Sequence, residues 1–297
     1  MEEIIQITNL TKHYKSFSAL EKLNLSVHKG EALGYLGPNG SGKTTTIRLM
    51  LGLIRPSSGT VLIDGLDAQK HKKAVHEKLA YVPGESSLWP SLTGEETLHL
   101  LAKVHGSSDS KYQKELVKRF KFDPQKKVRT YSKGNRQKIN LIAAFATRAP
   151  LLILDEPTNG LDPLMEQVFR ECVKEALGNG QTIFLSSHIL EEVEALCDRV
   201  AVLNSGRLVE TGTLKELRHL AAVTVEATFP AALPNIKHIE NVSNVRVIGK
   251  HITCQVHGSI DELLKAMAAA KPLSFLSREP SLEELFLSLY GSPEGNK

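Results

Sequence analysis

Residues 37–44 read Gly37-Pro38-Asn39-Gly40-Ser41-Gly42-Lys43-Thr44, a match to the pattern G-x-x-x-x-G-K-[ST]. An apolar run, ALGYL, precedes it, and TTIRLMLGL with helical patterning follows. In that setting the glycines let the backbone wrap until successive N–H groups point inward at phosphate oxygens. The helix that starts there adds the positive end of its dipole. Lys43 is then expected to reach the β- and γ-phosphates and the Thr44 hydroxyl to bind Mg²⁺, with Thr45 completing the phosphate site. The alternative is a glycine-rich turn that binds nothing, and the strand–loop–helix context argues against it.

Downstream, LLILDEP (residues 151–157) is a short continuous apolar run, the pattern of a strand buried on both faces of a parallel sheet. Asp155 at its end suits a carboxylate that holds Mg²⁺ through a water. Glu156 follows immediately. Within a strand it points to the opposite face, but at the strand's exposed end it can turn toward the γ-phosphate and polarise a water. QTIFLSSH repeats the buried-strand pattern and ends on His188, which a neighbouring parallel strand carries to the same sheet edge. No G-x-G-x-x-G stands in the chain, which argues against a dinucleotide fold.

Strand, crossover helix and strand alternate through PLMEQVFRECVKEAL, ILEEVEALC and RVAVLNSGRLVETG, which predicts a doubly wound α/β core of the phosphate-loop NTPase type. IIQIT and LNLSV near the start predict an antiparallel β edge subdomain. Helical patterns from Thr93 to Phe122 and from Lys133 to Thr147 predict a helical insertion over about 86–148. Beyond residue 218 the composition shifts. VTVEATF, NVRVIG and HITCQVHG alternate, and IDELLKAMAAA and SLEELFLSLY have helical spacing. The expected organisation is a nucleotide-binding domain over 1–218 and a small α+β domain over 219–297.

A chain of 297 residues with 41% apolar and 24% charged residues supports such a core, and a net charge of +4 does not point to nucleic acid. Three widely spaced cysteines (Cys172, Cys197, Cys254) with no C-x-x-C pair suit a reduced compartment. No apolar run reaches the length of a membrane span, and MEEIIQITNL lacks the features of a secretory signal. The expectation is a cytoplasmic protein that meets a membrane only through a partner.

Five elements stand in order: the phosphate loop, Tyr131-Ser132-Lys133-Gly134-Asn135 before a helix, LLILDEP, Gly160-Leu161-Asp162-Pro163, and Ser186-Ser187-His188. Over about residues 4–215 the chain resembles the ATP-binding subunit of an ABC transporter. The resemblance implies ATP and Mg²⁺ as ligands, Tyr14 as the aromatic that stacks on adenine, and Asp162 as the residue that communicates across a dimer. It makes residues 131–135 the signature segment, usually L-S-G-G-Q. Ser132 and Gly134 match it; Tyr131, Lys133 and Asn135 do not. In the family this segment meets the γ-phosphate held by a second subunit, which implies a head-to-tail sandwich of two ATP molecules. Gly84 stands where the family has a glutamine, and Glu85 beside it offers a carboxylate to Mg²⁺ in its place. Arg136 and Lys138 are expected on a solvated helix face.

The implied function is an ATPase driving export through a separately encoded integral membrane permease, with the chain peripheral at the cytoplasmic face of the membrane. The closing stretch, EPSLEELFLSLYG (279–291), resembles the tail of bacterial subunits that serve exporters of drugs, antibiotics, sodium or polysaccharides. The same stretch is also a plain amphipathic helix with a capping serine. An importer ATPase is the alternative within transport. A soluble relative acting on ribosomes or DNA is the alternative outside it, weakened by a single cassette and the lack of sustained heptads. A kinase sharing the loop leaves the signature and histidine elements unexplained. The basic stretch KYQKELVKRFKFDPQKKVR lacks the interleaved aromatics of a nucleic-acid surface. It reads as a solvated helical face, or as a contact for anionic lipid heads or a permease loop.

Overall fold

A computed structural model describes residues 2–278 apart from 107, 221, 232 and 237. Its contacts divide the chain into two units, with the division between Thr211 and Gly212, ahead of the boundary read from the sequence.

In the first unit, β1 (Glu3–Tyr14) and β2 (Phe17–His28) form a long antiparallel pair, with register shifts along β1 that mark bulges. β3 (Ala32–Leu36) leads through the phosphate loop into α1 (Lys43–Met50). β4 (Ser58–Ile63) and β5 (Leu66–Asp67) extend the first sheet in the order β2-β1-β4-β5. α2 (Lys72–His76) and β6 (Leu79–Val82) follow. The helical insertion comprises α3 (Gly94–His105), α4 (Ser110–Arg119) and α5 (Lys133–Ala146). The chain then alternates through β7 (Leu151–Asp155), α6 (Pro163–Gly178), β8 (Thr182–Ser187), α7 (Leu190–Leu196), β9 (Arg199–Asn204) and β10 (Arg207–Thr213), whose last two residues fall past the division.

The second sheet runs β10-β9-β3-β8-β7-β6, and β9, β3, β8, β7 and β6 pair in parallel. Every residue of β3, β7 and β8 is buried, which is why each carries a continuous apolar stretch, ALGYL, LLIL and IFL. Both sheets share one core, in which Ile5, Leu20 and Val61 of the antiparallel sheet pack in the same cluster as Tyr35, Ile153 and Phe184 of the parallel one. The register sets Leu36 beside Ser187, Asp155 beside Ser186 and Val82 beside Leu154, so the loops after four strands leave at one edge.

In the helical insertion α3 begins with a capping box formed by Thr93 and Glu96. α4 buries Tyr112 and Leu116 while Lys111, Lys114 and Lys118 face solvent. Arg119 on the same helix is instead paired with Glu175 of α6 at 2.8 Å. Phe145 of α5 meets Phe169 of α6 at 6.2 Å between ring centroids, which ties the insertion to the core.

The second unit holds α8 (Leu214–Leu220), strands β11 (Val223–Thr228), β12 (Val242–Ile248), β13 (His251–Val256) and β14 (Ser274–Arg278), and α9 (Asp261–Ala269). Its antiparallel sheet, β12-β13-β11-β14, encloses a core of its own with Val225, Phe229, Cys254 and Leu263. β14 has no apolar alternation that announces it. The helix expected over SLEELFLSLY and the tail at 279–291 lie outside the described residues.

Phe184 is fully buried in β8, with its ring centroid 5.1 Å from that of Tyr35. Phe184→Ala is expected to cost about 3–5 kcal/mol, seen as a lower urea midpoint for the first unit's unfolding transition.

Candidate functional site

The phosphate loop links β3 to α1 with Gly40 and Gly42 at φ 82° and 110°. The left-handed backbone at Gly42, the residue before the helix, folds the loop back over its start. Lys43, the first helical residue, curls into this loop. Its Nζ donates to the carbonyls of Gly37 at 2.6 Å and Pro38 at 3.3 Å. It also lies 3.7 Å from Glu156 Oε1. Burial pulls the Lys43 ammonium below its ordinary value, against the raising effect of Glu156 and Asp155.

Asp155 ends β7 almost completely buried. Ser186 Oγ donates to its Oδ1 at 2.9 Å, and Thr44 Oγ1 meets its Oδ2 at 3.4 Å. Burial raises its carboxyl above the usual range, while the bonds from Ser186 and Thr44 and the charge of Lys43 pull the other way. A hydroxyl and a carboxylate held side by side form a hard-oxygen pair, the donor type Mg²⁺ prefers. Among the described residues no group of three or more His, Cys, Asp or Glu side chains is placed to hold a metal by itself. A Mg²⁺ ion that shares its shell with phosphate oxygens and water needs no such group.

Glu156 resolves the strand-parity question. Its backbone sits at φ 48°, a left-handed conformation that breaks the alternation of β7. Its N–H still pairs with the Ser186 carbonyl at 2.8 Å. The turn brings its carboxylate to Lys43 on one side and to His188 Nδ1 on the other. Lys43, Thr44, Asp155, Glu156 and His188 are thus brought together at the C-terminal edge of the parallel sheet.

Ser132 and Gly134 are placed elsewhere. Ser132 is the exposed N-cap of α5, its Oγ accepting from Asn135 N–H at 3.2 Å. Gly134 lies so close to the backbone after Glu156 that a Cβ there would collide with the Gly160 carbonyl oxygen. Lys133 Nζ donates to Asn159 Oδ1 at 2.7 Å. Tyr131 is buried, with its hydroxyl donating to the Asp123 carbonyl at 2.6 Å and its ring packed on Phe122.

A family model described as ABC transporter matches residues 20–159. The linearmycin resistance ATP-binding protein LnrL of Bacillus subtilis (strain 168) is 33% identical, covering 97% of this chain and 98% of that protein. This chain belongs to the ATP-binding subunits of ABC transporters. A solved ATP-binding subunit of an ABC transporter aligns at TM-score 0.68 and 34% identity over 72% of this chain and 92% of its own. A dimeric ATP-binding cassette in a post-hydrolysis state, bound to ADP and Pi, aligns at TM-score 0.65 and 25% identity over 71% of this chain and 98% of its own.

Tyr14 ends β1 opposite Phe17, its ring exposed, with Lys12 Nζ 4.9 Å from the ring centroid. β2 runs from that hairpin to Ala19, whose carbonyl oxygen lies against Gly42 of the phosphate loop. Asp162 caps α6, its Oδ1 accepting from Met165 N–H at 3.0 Å. Gly84 packs against the Asp155 carbonyl and the Glu156 Cβ, where a Cβ of its own would stand 3.1 Å from that carbonyl oxygen. Glu85 is exposed beside it. The expectation that Lys138 lies on a solvated face is corrected: it is only 9% exposed, and Arg136 is half-buried, because α5 is covered on nearly all sides beyond its first turn.

Two polar groups at the site escaped the sequence reading. One is Gln137, buried in α5. The other is Glu192 of α7, buried with its Oε2 accepting from Ser187 Oγ at 2.7 Å. Both stand amid polar residues on helices, where spacing alone does not distinguish a covered face from an open one. Burial pushes the Glu192 carboxyl up to about 7, against the lowering effect of the Ser187 and Thr158 hydroxyls, with Glu156 and Glu166 adding to the rise. From the ordinary 4.5 up to about 7 the folded chain therefore keeps a proton that the unfolded chain has lost. Stability should fall as pH rises through that window, by roughly 3 kcal/mol. Glu192→Gln is expected to flatten that slope, checked by comparing urea midpoints of the two chains at pH 5 and pH 8.

Proposed function

We propose that this chain hydrolyses ATP to drive export through a separate membrane-spanning permease, two ATP-binding subunits closing head to tail on two ATP molecules. The observation that carries this reading is the meeting of Lys43, Thr44, Asp155, Glu156 and His188 at one sheet edge, while in the signature segment Ser132 caps its own helix and Lys133 and Gly134 engage residues 159–160 of their own chain. An exposed helix N-terminus with a hydroxyl cap suits a phosphate brought by another subunit. The alignment with a dimeric cassette supports the same arrangement.

In this reading the loop from Gly37 through Thr45, with the N–H groups of every residue but Pro38, and the Lys43 ammonium bind the phosphate chain, and Tyr14 stacks on adenine. Thr44 and Asp155 hold Mg²⁺, which when bound neutralises charge on the phosphate oxygens. Glu156 orients a water and accepts its proton, and His188, in contact with that carboxylate, fixes its direction. Lys43 offsets charge as the γ-phosphoryl group leaves. Asp162 stands at the turn nearest the signature segment, where a partner's nucleotide bears on it.

The permease contact is proposed at a groove of the first unit, about 780 Å³, lined mainly by apolar side chains that include Leu53, Leu88, Trp89 and Val104. Trp89 is 49% exposed and Val104 74%, an unusual exposure for such residues around one hollow. Among the described residues no helix is long and apolar enough to cross a membrane. Export rather than import is favoured by the similarity to LnrL, a linearmycin resistance protein.

Glu156→Gln is expected to keep ATP affinity while kcat falls by about 10²-fold or more, and to elute as a dimer with ATP present. Near-normal turnover in that variant would remove the catalytic role. Lys43→Ala should weaken ATP binding by about 10-fold or more, read by equilibrium titration with a fluorescent nucleotide. A tagged Glu156→Gln chain drawn from detergent-solubilised membranes with ATP and Mg²⁺ should bring a stoichiometric polytopic protein, and Trp89→Glu should lose it. Recovery of ribosomal or DNA-associated proteins alone would overturn the transport reading and leave the ATPase chemistry standing.

A further inference from the structure

Gln137 takes no part in the phosphate contacts proposed above, yet both ends of its buried carboxamide are engaged. Nε2 donates to the Pro157 carbonyl at 3.1 Å and to the Pro83 carbonyl at 3.4 Å, and Oε1 accepts from Ser86 Oγ at 2.9 Å. Carbonyl oxygens only accept, so the partners fix which way the amide faces. Asn140, one turn along α5 and also buried, donates from Nδ2 to the same Ser86 hydroxyl and to Gln137 Oε1. The hydroxyl gives its one proton to Gln137 and receives one from Asn140, so the cluster is closed.

Three segments that matter to hydrolysis meet at this one side chain. Pro83–Ser86 leaves β6 and lies against Asp155 and Glu156 through Gly84. Pro157 directly follows Glu156. α5 carries the signature residues at its first turn, less than two turns before Gln137. At position 84, where the family pattern has a glutamine, this chain has no side chain to join these parts. We propose that Gln137 is the positioning residue that joins them here: its amide holds the turn bearing Glu156 and the Pro83–Ser86 segment in fixed relation to the signature end of α5. This rests on the ATPase reading above. Because Gln137 touches neither the phosphate loop nor Tyr14, its loss acts on the hydrolytic step and spares nucleotide binding.

The test uses the purified full-length chain and three variants. Gln137→Met keeps the volume and removes every polar contact. Gln137→Glu keeps the acceptor facing Ser86 and loses the donor to both prolyl carbonyls. Ser86→Ala removes only the shared hydroxyl. Each is measured for kcat and KM of ATP hydrolysis, for equilibrium affinity with a fluorescent ATP analogue and Mg²⁺, and for melting temperature. Both Gln137 variants are expected to lose about 10-fold or more in kcat with affinity and KM within about 2-fold, the signature of a lost transition-state arrangement. Ser86→Ala is expected to lose about 3-fold, and the Gln137→Met, Ser86→Ala double variant to be no slower than Gln137→Met alone, since both act through one set of bonds. Unchanged kcat in a folded Gln137→Met chain overturns the inference. So does a fall in kcat matched by falls in affinity and melting temperature, which marks a packing role. Should the Gln137 variants not fold, unchanged kcat in Ser86→Ala overturns it instead. The underlying reading fails separately: parent turnover no faster than that of Glu156→Gln removes both, whereas a clear difference between those two with an inert Gln137 removes this inference alone.

Discussion

The first unit is arranged around an ammonium and a carboxylate buried at the end of a parallel sheet. Lys43 and Asp155 are both largely withdrawn from water, and burial is the leading influence on each, lowering the lysine and raising the aspartate. Their partners within the chain recover only part of the lost hydration: two carbonyls for Lys43, two hydroxyls for Asp155. Within the chain Lys43 has the Glu156 carboxylate at 3.7 Å and Asp155 has the charge of Lys43, and since burial still leads at both, each gains from a further opposite charge. A polyphosphate supplies one to the lysine and a divalent cation supplies one to the aspartate, so a triphosphate with Mg²⁺ relieves both together. The positive φ of Glu156 belongs to the same economy of placement, since it turns a third charge into the space between Lys43 and His188.

Around this edge, close backbone approaches fix the neighbouring segments. Gly84 lies on the Asp155–Glu156 backbone and Gly134 on Gly160, both too close for a side chain to enter without displacement. The first contact seats the segment after β6 behind the charged residues. The second seats the start of α5 on the turn that follows them. α5 is also covered beyond its first turn, so its signature end moves only if the insertion's core moves with it. Packing of this density transmits displacement better than flexible loops do.

Much of this was legible in the sequence because its physics is local. The phosphate loop sits between a strand and a helix, and the apolar stretches LLIL and IFL suit buried strands. The parallel neighbour relation of β7 and β8 then placed His188 beside Asp155's strand. β6 was not legible: LAYV is four residues long and gains its identity from pairing with β7, a partner about seventy residues away in sequence. Lys138 and Gln137 were misread or passed over for one reason. Polar residues on a helix report an exposed face only when one face is open, and α5 has almost none. The turn at Glu156 was open to either reading, because strand parity and strand ending are decided by where hydrogen bonding with β8 stops.

The departures from the signature pattern also have a physical meaning. Tyr131 is a core residue of the insertion, its ring against Phe122 and its hydroxyl satisfied by Asp123, so its identity follows packing instead of phosphate chemistry. Lys133 differs in kind. Its ammonium is held by the amide oxygen of Asn159, a neutral partner, so the hydrogen bond fixes its place without cancelling its charge. That charge stands one residue from the Ser132 cap, where the helix N-terminus already carries a partial positive charge. The two fields add at an exposed point that makes no contact with its own chain's phosphate loop. In the proposed dimer this point meets the partner's γ-phosphate. A chain with Gly84 instead of an amide side chain at the segment beside Glu156 therefore carries an additional fixed cation at the other half of the shared site.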